Sequence, residues 1–269
     1  MHQLIHLDLF SGIGGFALAA RMVGGIETRQ FIEIDPYCQR VLAKNFPGVP
    51  IHGDAKTFTA QPGDFDLITA GFPCQPHSTA GSRKASQDDR DLWPELYRII
   101  CQVQPRWIVL ENVRGLLSSE AGQFFRDILW DLARAGLDAE WAVIPASDLG
   151  APHQRERLLI LAYANSVGYS QPQLWNQPLA EKGASEPSPK SLLLADWPKR
   201  PSQVSEIPRA IDGLPPRLDA VRSLGNSISP QVAAIPLRRV VDLAGSDILP
   251  TLTLRVEGGL LQSFDLRVL

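Results

Sequence analysis

Cysteine is scarce. Three occur in 269 residues, at positions 38, 74 and 101, an odd number with no CxxC or CxH spacing. That pattern excludes a disulfide framework and a zinc site, and fits a reducing, cytoplasmic chain with no metal. Long apolar runs are missing as well, so no membrane partner is expected. The first residues, MHQLIHLDLF, carry no basic stretch ahead of their apolar ones, so they do not read as a secretory leader. There is no internal repeat. Excess positive charge is absent too: 26 basic residues face 29 acidic ones, for a net charge of −3. A polyanion, if this chain grips one, must be met by a local basic face. The 44% of hydrophobic and 20% of charged residues suit one large domain, or one domain with a small companion.

The first 164 residues alternate between two periodicities. Residues 4–10, 29–35, 65–72, 106–113, 139–146 and 155–164 read as strands. Residues 14–25, 36–46, 91–103 and 120–136 read as helices, the second with proline in its first turn. Such alternation predicts an α/β fold, a mostly parallel sheet with helices on both faces. From residue 165 to about 222 the chain turns rich in Pro, Ser and Gln and reads as a small irregular region. Residues 223–245 contain a returning helix over 230–245, and 246–269 form a tail with strand-like alternation in TLTLRV.

Chemistry-bearing residues gather where strands end. DLFSGIGGF places Gly12, Gly14 and Gly15 directly after the first strand and before a helix, where a ligand can approach the backbone. Alone, that is an ordinary strand-to-helix turn. Joined to Glu33 at the end of the second strand, which suits ribose hydroxyls, and Asp54 on the next turn, which suits an adenine amino group, it points to a nucleoside cofactor. Cys74 follows the strand FDLIT on a turn-like lip, whereas Cys38 and Cys101 sit inside helices and read as inert buried thiols. Glu111 closes the apolar strand WIVL, where desolvation favours a protonated carboxyl. Arg155 and Arg157, two apart, share a sheet face, as edge-strand charges or as a clamp for an anion or a carbonyl. GNSISPQVA is a turn leading into a helix, an ordinary cap when taken by itself.

Taken together, these segments resemble the DNA (cytosine-5)-methyltransferase family, and in its compact bacterial and phage-like form. DLFSGIGGF is similar to the family's first cofactor motif, GFPCQPHSTAG to its catalytic loop and ENVRGL to its glutamate motif. HQRER is similar to its arginine motif and GNSISPQVA to the asparagine motif near its C-terminus, all in the usual linear order. The resemblance implies a Rossmann-like, S-adenosylmethionine-dependent fold with a small target-recognition region at 165–222. It implies a methyl transfer to C5 of a cytosine flipped out of double-stranded DNA. Cys74 would attack C6, Glu111 would protonate N3 or hydrogen-bond to it, and Arg157 with Arg155 would hold the cytosine carbonyl. Phe10, Ser11, Gly12, Gly14, Gly15, Glu33, Asp54 and Pro73 would line the S-adenosylmethionine site, with Asn226 and Ser227 closing its methionine end. Gln75, Ser78, Arg83 and Lys84, in a loop closing over the DNA, and Lys199, Arg200 and Arg209 in the insert would contact DNA. A restriction endonuclease is the implied functional partner, or DNA protection in a phage or prophage, and a monomer the default assembly.

The chain departs from the family pattern at His77, Ile34 and His153. Its insert between the arginine and asparagine motifs is short. Three rivals stand beside this reading. A cytosine-5 methyltransferase of tRNA would carry the same motifs. A catalytically silent DNA-binding relative would not be expected to keep Cys74, Glu111 and Arg157. A dinucleotide-dependent oxidoreductase would need GxGxxG, which the glycines do not follow.

Overall fold

Alternation within LIHLDL sends Leu7 and Leu9 to one side of a sheet and Leu4, His6 and Asp8 to the other. The computed structural model describes residues 3–73, 92–164 and 226–245. Cys74, the loop 75–90, the insert from 165 and the tail 246–269 lie outside them. The described elements are β1 (Leu4–Leu9), α1 (Gly15–Val23), β2 (Ile26–Ile32), α2 (Pro36–Asn45), β3 (Ile51–His52), β4 (Leu67–Gly71) and α3 (Trp93–Val103). They continue with β5 (Trp107–Val113), α4 (Gln123–Arg134), β6 (Leu137–Pro145), β7 (Glu156–Ala164) and α5 (Pro230–Gly245). The seven strands lie in the order β3-β2-β1-β4-β5-β7-β6. The first five run parallel, and β7 is antiparallel to both of its neighbours. The expected mostly parallel α/β sheet is present, and β6 and β7, joined without a crossover helix, supply its antiparallel edge.

The two faces are covered by different helices. Leu9, Ile68, Leu110 and Ile160 pack beneath α3 and α4, against Leu96, Ile100, Ile128 and Leu132. Leu67, Val109, Leu159 and Leu161 pack beneath α1 and α5, against Phe16, Ala20, Val232 and Leu237. The chain after the insert therefore completes the core begun at the N-terminus. Arg239 of α5 also forms a buried ion pair with Glu140 of β6, Nε to Oε1, at 2.6 Å.

Several local expectations need correction. β2 lies about three residues earlier than the sequence suggests, because the Asp35 carboxylate caps α2 by accepting from Tyr37 N at 2.7 Å. Ile51 and His52 pair with β2 as a short strand where only a turn was expected. α4 begins at Gln123 rather than Glu120, since Glu120 and Ala121 adopt positive φ of 49° and 55° in an irregular turn. Cys38 is buried as expected, but Cys101 is exposed.

His6 and Asp8 form an unexpected polar line inside the sheet. Thr69 of β4 donates its hydroxyl to Asp8 Oδ1 at 2.6 Å. With the hydroxyl donated in this direction, Thr69 accepts from His6 Nε2–H, 2.7 Å away, and His6 Nδ1 accepts from the Thr28 hydroxyl at 2.9 Å. Burial pushes the His6 pKa down to about 3. Burial pushes Asp8 up to about 8, with the Thr69 hydroxyl opposing and the Glu33 charge adding. The folded chain thus keeps the Asp8 proton where the unfolded chain has lost it. Stability from this group falls as pH rises from the ordinary carboxylate range towards 8. His6 acts in the opposite sense, costing stability as pH drops below its ordinary value. Asp8→Asn should remove the alkaline slope: its Tm, relative to wild type, should rise between about pH 5 and about pH 8. Parallel Tm profiles for the two proteins would refute the assignment.

Candidate active site

The strand order reverses between β1 and β4, and such a point opens a crevice at the carboxyl ends of parallel strands. A cavity of about 810 Å³ lies there. One of its walls comes from the turn after β1. Phe10 and Gly12 adopt positive φ of 53° and 54°, and the Gly12 amide donates to Glu33 Oε2 at 2.7 Å. The other Glu33 oxygen accepts from Asp35 N at 2.8 Å, so the carboxylate links the turn after β1 to the cap of α2. Burial raises its pKa above the ordinary range, against the pull of these amides. Ser11 is buried and donates to Asp8 O at 2.6 Å. Asp54 and Lys56 line the far wall beside Ile34, and Asn226 and Ser227 border the cavity from the segment before α5.

Phe10, Ser11, Gly12, Glu33, Asp54, Pro73, Asn226 and Ser227 all line this one cavity. Gly14 and Gly15 do not. Gly14 faces Phe46 and Leu42 of the α2 region. Gly15 faces the segment before α5: a Cβ there would lie 2.7 Å from Ile228 O, so only glycine lets α1 approach this closely.

The acid and one of the two arginines, Arg157, line the same cavity, whereas Arg155 does not. Glu111 of β5 is 8% exposed, and its Oε1 lies 2.6 Å from Arg157 Nε of β7. Burial raises the Glu111 pKa, and the charges of Arg157 and Arg155 only partly offset it. Arg155 adopts a φ of 25° just ahead of β7 and donates from Nη2 to Ser227 O at 2.7 Å. Its close hydrogen bond ties the C-terminal segment to the site, a task the two-residue spacing did not suggest. Arg114, just after β5, forms an exposed ion pair with Glu156 at the start of β7.

Three contributors were not anticipated. Gly71 pairs with Glu111 across the sheet, and a Cβ there would lie 3.2 Å from Glu111 Oε2. Asn112 is buried and donates from Nδ2 to Phe72 O at 3.1 Å, fixing the backbone that leads through Pro73 towards position 74. Lys56 lines the cavity beside Asp54. A second polar residue in the apolar strand WIVLEN was the visible signal for Asn112; Gly71 had none beyond being a glycine at a strand end. The predicted DNA contacts Gln75, Ser78, Arg83, Lys84, Lys199, Arg200 and Arg209 lie outside the described residues, as does Cys74.

A mostly parallel sheet with an antiparallel β7, an acid after its second strand and a cavity at its switch point define a Rossmann-like α/β protein. Residues 4–211 match the C-5 cytosine-specific DNA methylase family, and the chain belongs to it. It is 36% identical over 163 residues to the type II methyltransferase M.DsaV of Dactylococcopsis salina, covering 60% of this chain and 46% of that one. It is 34% identical over 182 residues to M.NgoMIV of Neisseria gonorrhoeae, covering 67% and 57%. The chain thus spans about half the length of the curated relatives it matches. Among solved structures it resembles a putative DNA modification methyltransferase encoded within an E. coli prophage, with 27% identity and a TM-score of 0.54 over 63% of this chain and 49% of that one. It also resembles the S. pombe Dnmt2 methyltransferase, with 25% identity and a TM-score of 0.52 over 64% and 53%. No helix among the described residues is long and apolar enough to cross a membrane.

Proposed function

We propose that this chain transfers a methyl group from S-adenosylmethionine to C5 of cytosine in double-stranded DNA, as the modification partner of a restriction endonuclease. The observation that carries this reading is the buried Glu111–Arg157 pair, which shares one cavity with Glu33 and Asp54. The residues present fit the cofactor. Glu33 offers a fixed carboxylate for ribose hydroxyls, Asp54 an acceptor for the adenine amino group, and Asn226 and Ser227 polar groups for the amino-acid end. When bound, S-adenosylmethionine supplies an electrophilic methyl group.

The remaining tasks belong to side chains. C5 of cytosine is a poor nucleophile and needs covalent activation. The Cys74 thiolate adds to C6, breaking the C5–C6 double bond. Glu111 gives a proton or hydrogen bond to N3, so that the ring accepts the displaced electron density. Arg157 holds the cytosine carbonyl and, through its ion pair, the orientation of Glu111. That leaves electron density at C5, the position to be alkylated. Once C5 carries the methyl group, its proton passes to water, the freed electron pair re-forms the C5–C6 double bond and expels the Cys74 thiolate, and N3 returns its proton to Glu111. A base inside a duplex cannot reach this cavity, so it must flip out.

The deciding experiment is bisulfite sequencing of DNA from a bacterium without cytosine methylation after the chain is expressed in it. Protected cytosines in one sequence context support both reaction and specificity. No protection, with a folded protein that binds S-adenosylhomocysteine, overturns the DNA reading and turns attention to RNA.

A further inference from the structure

The wall of the cavity formed by Asp54–Lys56 belongs to neither a strand nor a helix. Within this segment, Thr57 N donates to Asp54 O at 3.1 Å and Phe58 N to Ala55 O at a long 3.3 Å. Lys56 N also donates to Asp54 Oδ1 at 2.9 Å. The shortest contact to the backbone of this segment comes from another element. Arg98 of α3 donates from Nη2 to Ala55 O at 2.7 Å and from Nη1 to Phe58 O at 3.0 Å. The guanidinium is itself held in plane. Its Nε donates to Glu95 Oε2 at 2.9 Å and Nη1 also donates to Gln102 Oε1 at 3.1 Å, partners one turn to either side on α3. The Arg98 side chain is 32% exposed, enough burial for these contacts to be poorly replaced by water.

We propose that Arg98 is a positioning residue for the adenine end of the cofactor site: it fixes the turn that presents Asp54 and touches no ligand itself. This inference rests on the proposed cofactor reading. A charged, planar fork reaches the two carbonyls from two separate nitrogens held in a fixed geometry, whereas lysine would have to reach both from a single nitrogen on a flexible stem. Binding that depends on Asp54 then depends on Arg98, while groups at the Glu111 end do not. Loss of Arg98 should weaken cofactor binding and leave the saturated rate alone.

The test compares wild type with Arg98→Gln, Arg98→Lys, Asp54→Ala and the Arg98→Gln/Asp54→Ala double variant. It measures Kd for S-adenosylhomocysteine by calorimetry, KM and kcat with S-adenosylmethionine, and the Tm of the ligand-free proteins. Arg98→Gln is expected to raise Kd and KM about tenfold, the loss of hydrogen bonds from a charged donor, with kcat unchanged within about twofold. Arg98→Lys should not rescue it, and the double variant should bind no worse than Asp54→Ala alone. Glu95→Gln, which loosens the guanidinium without removing it, gives a smaller rise in Kd and serves if Arg98→Gln does not fold. Additive effects, or a lowered Tm with Kd unchanged, overturn the inference and leave the cofactor reading standing. Failure of the wild-type protein to bind S-adenosylhomocysteine overturns both.

Discussion

Cys74→Ala is expected to reduce methyl transfer by at least about 10⁴-fold while leaving S-adenosylhomocysteine binding within about twofold of wild type. The size of the loss follows from the proposed chemistry. Without addition at C6, no ionisation available near neutral pH makes C5 nucleophilic, and no other thiol can substitute. Cys38 lines the cavity but belongs to α2, beside Asp35 on the Glu33 side rather than on the strand that carries Glu111, and Cys101 of α3 does not line it. The unchanged cofactor affinity follows from the geometry, since Glu33, Asp54 and Ser227 are held by contacts that do not involve position 74. A 5-fluorocytosine oligonucleotide gives an independent readout. It should form a covalent complex with wild type, because a fluorine at C5 cannot leave as a proton does, and none with the variant. Turnover by Cys74→Ala near the wild-type level would end the covalent mechanism.

What the sequence disclosed and what it hid follow one physical distinction. The placement of Glu33, Gly12 and Glu111 in the cavity was legible because it depends on local position, an acid or a tight turn at the carboxyl end of an apolar strand. Gly14 and Gly15 sat in the same motif, but their reasons lie 28 to 32 and over 200 residues away, in Leu42, Phe46 and Ile228, and no local pattern encodes such a partner. Arg155 is the same case: its spacing from Arg157 suggested a shared task, while its hydrogen bond to Ser227 O spans 72 residues. Nothing in the helical stretch 91–103 singled out Arg98, because only the folded chain brings Ala55 O and Phe58 O to it. His6 and Asp8 were a missed signal of another kind. Two ionisable groups in an otherwise apolar strand announce a buried polar network, because each must find partners inside the core. The strand ends shifted for a local reason, since the Asp35 cap competes with extension of β2.

Glu111→Gln should lower the rate of methyl transfer by about 10²- to 10⁴-fold, the usual range for removal of a general acid, with DNA affinity retained. Glutamine keeps the shape of the side chain and can still accept from Arg157, so the 2.6 Å contact between β5 and β7 has a neutral replacement. It cannot deliver a proton to N3. The wild-type site is prepared for that delivery. Burial holds the Glu111 carboxyl above its ordinary pKa, and the two guanidiniums restrain the rise. Its protonated form therefore persists to higher pH than in an exposed glutamate. The alkaline limb of the kcat profile that reports this group should lie above the ordinary carboxylate range and vanish in Glu111→Gln. Arg157→Ala removes an offsetting charge and should move that limb to still higher pH, while lowering the rate because the carbonyl loses its holder. The two variants thus shift the profile in different ways. A Glu111→Gln enzyme with the wild-type rate would show that the proton on N3 comes from elsewhere. An unshifted limb in Arg157→Ala would show that the ion pair does not set the acidity of Glu111.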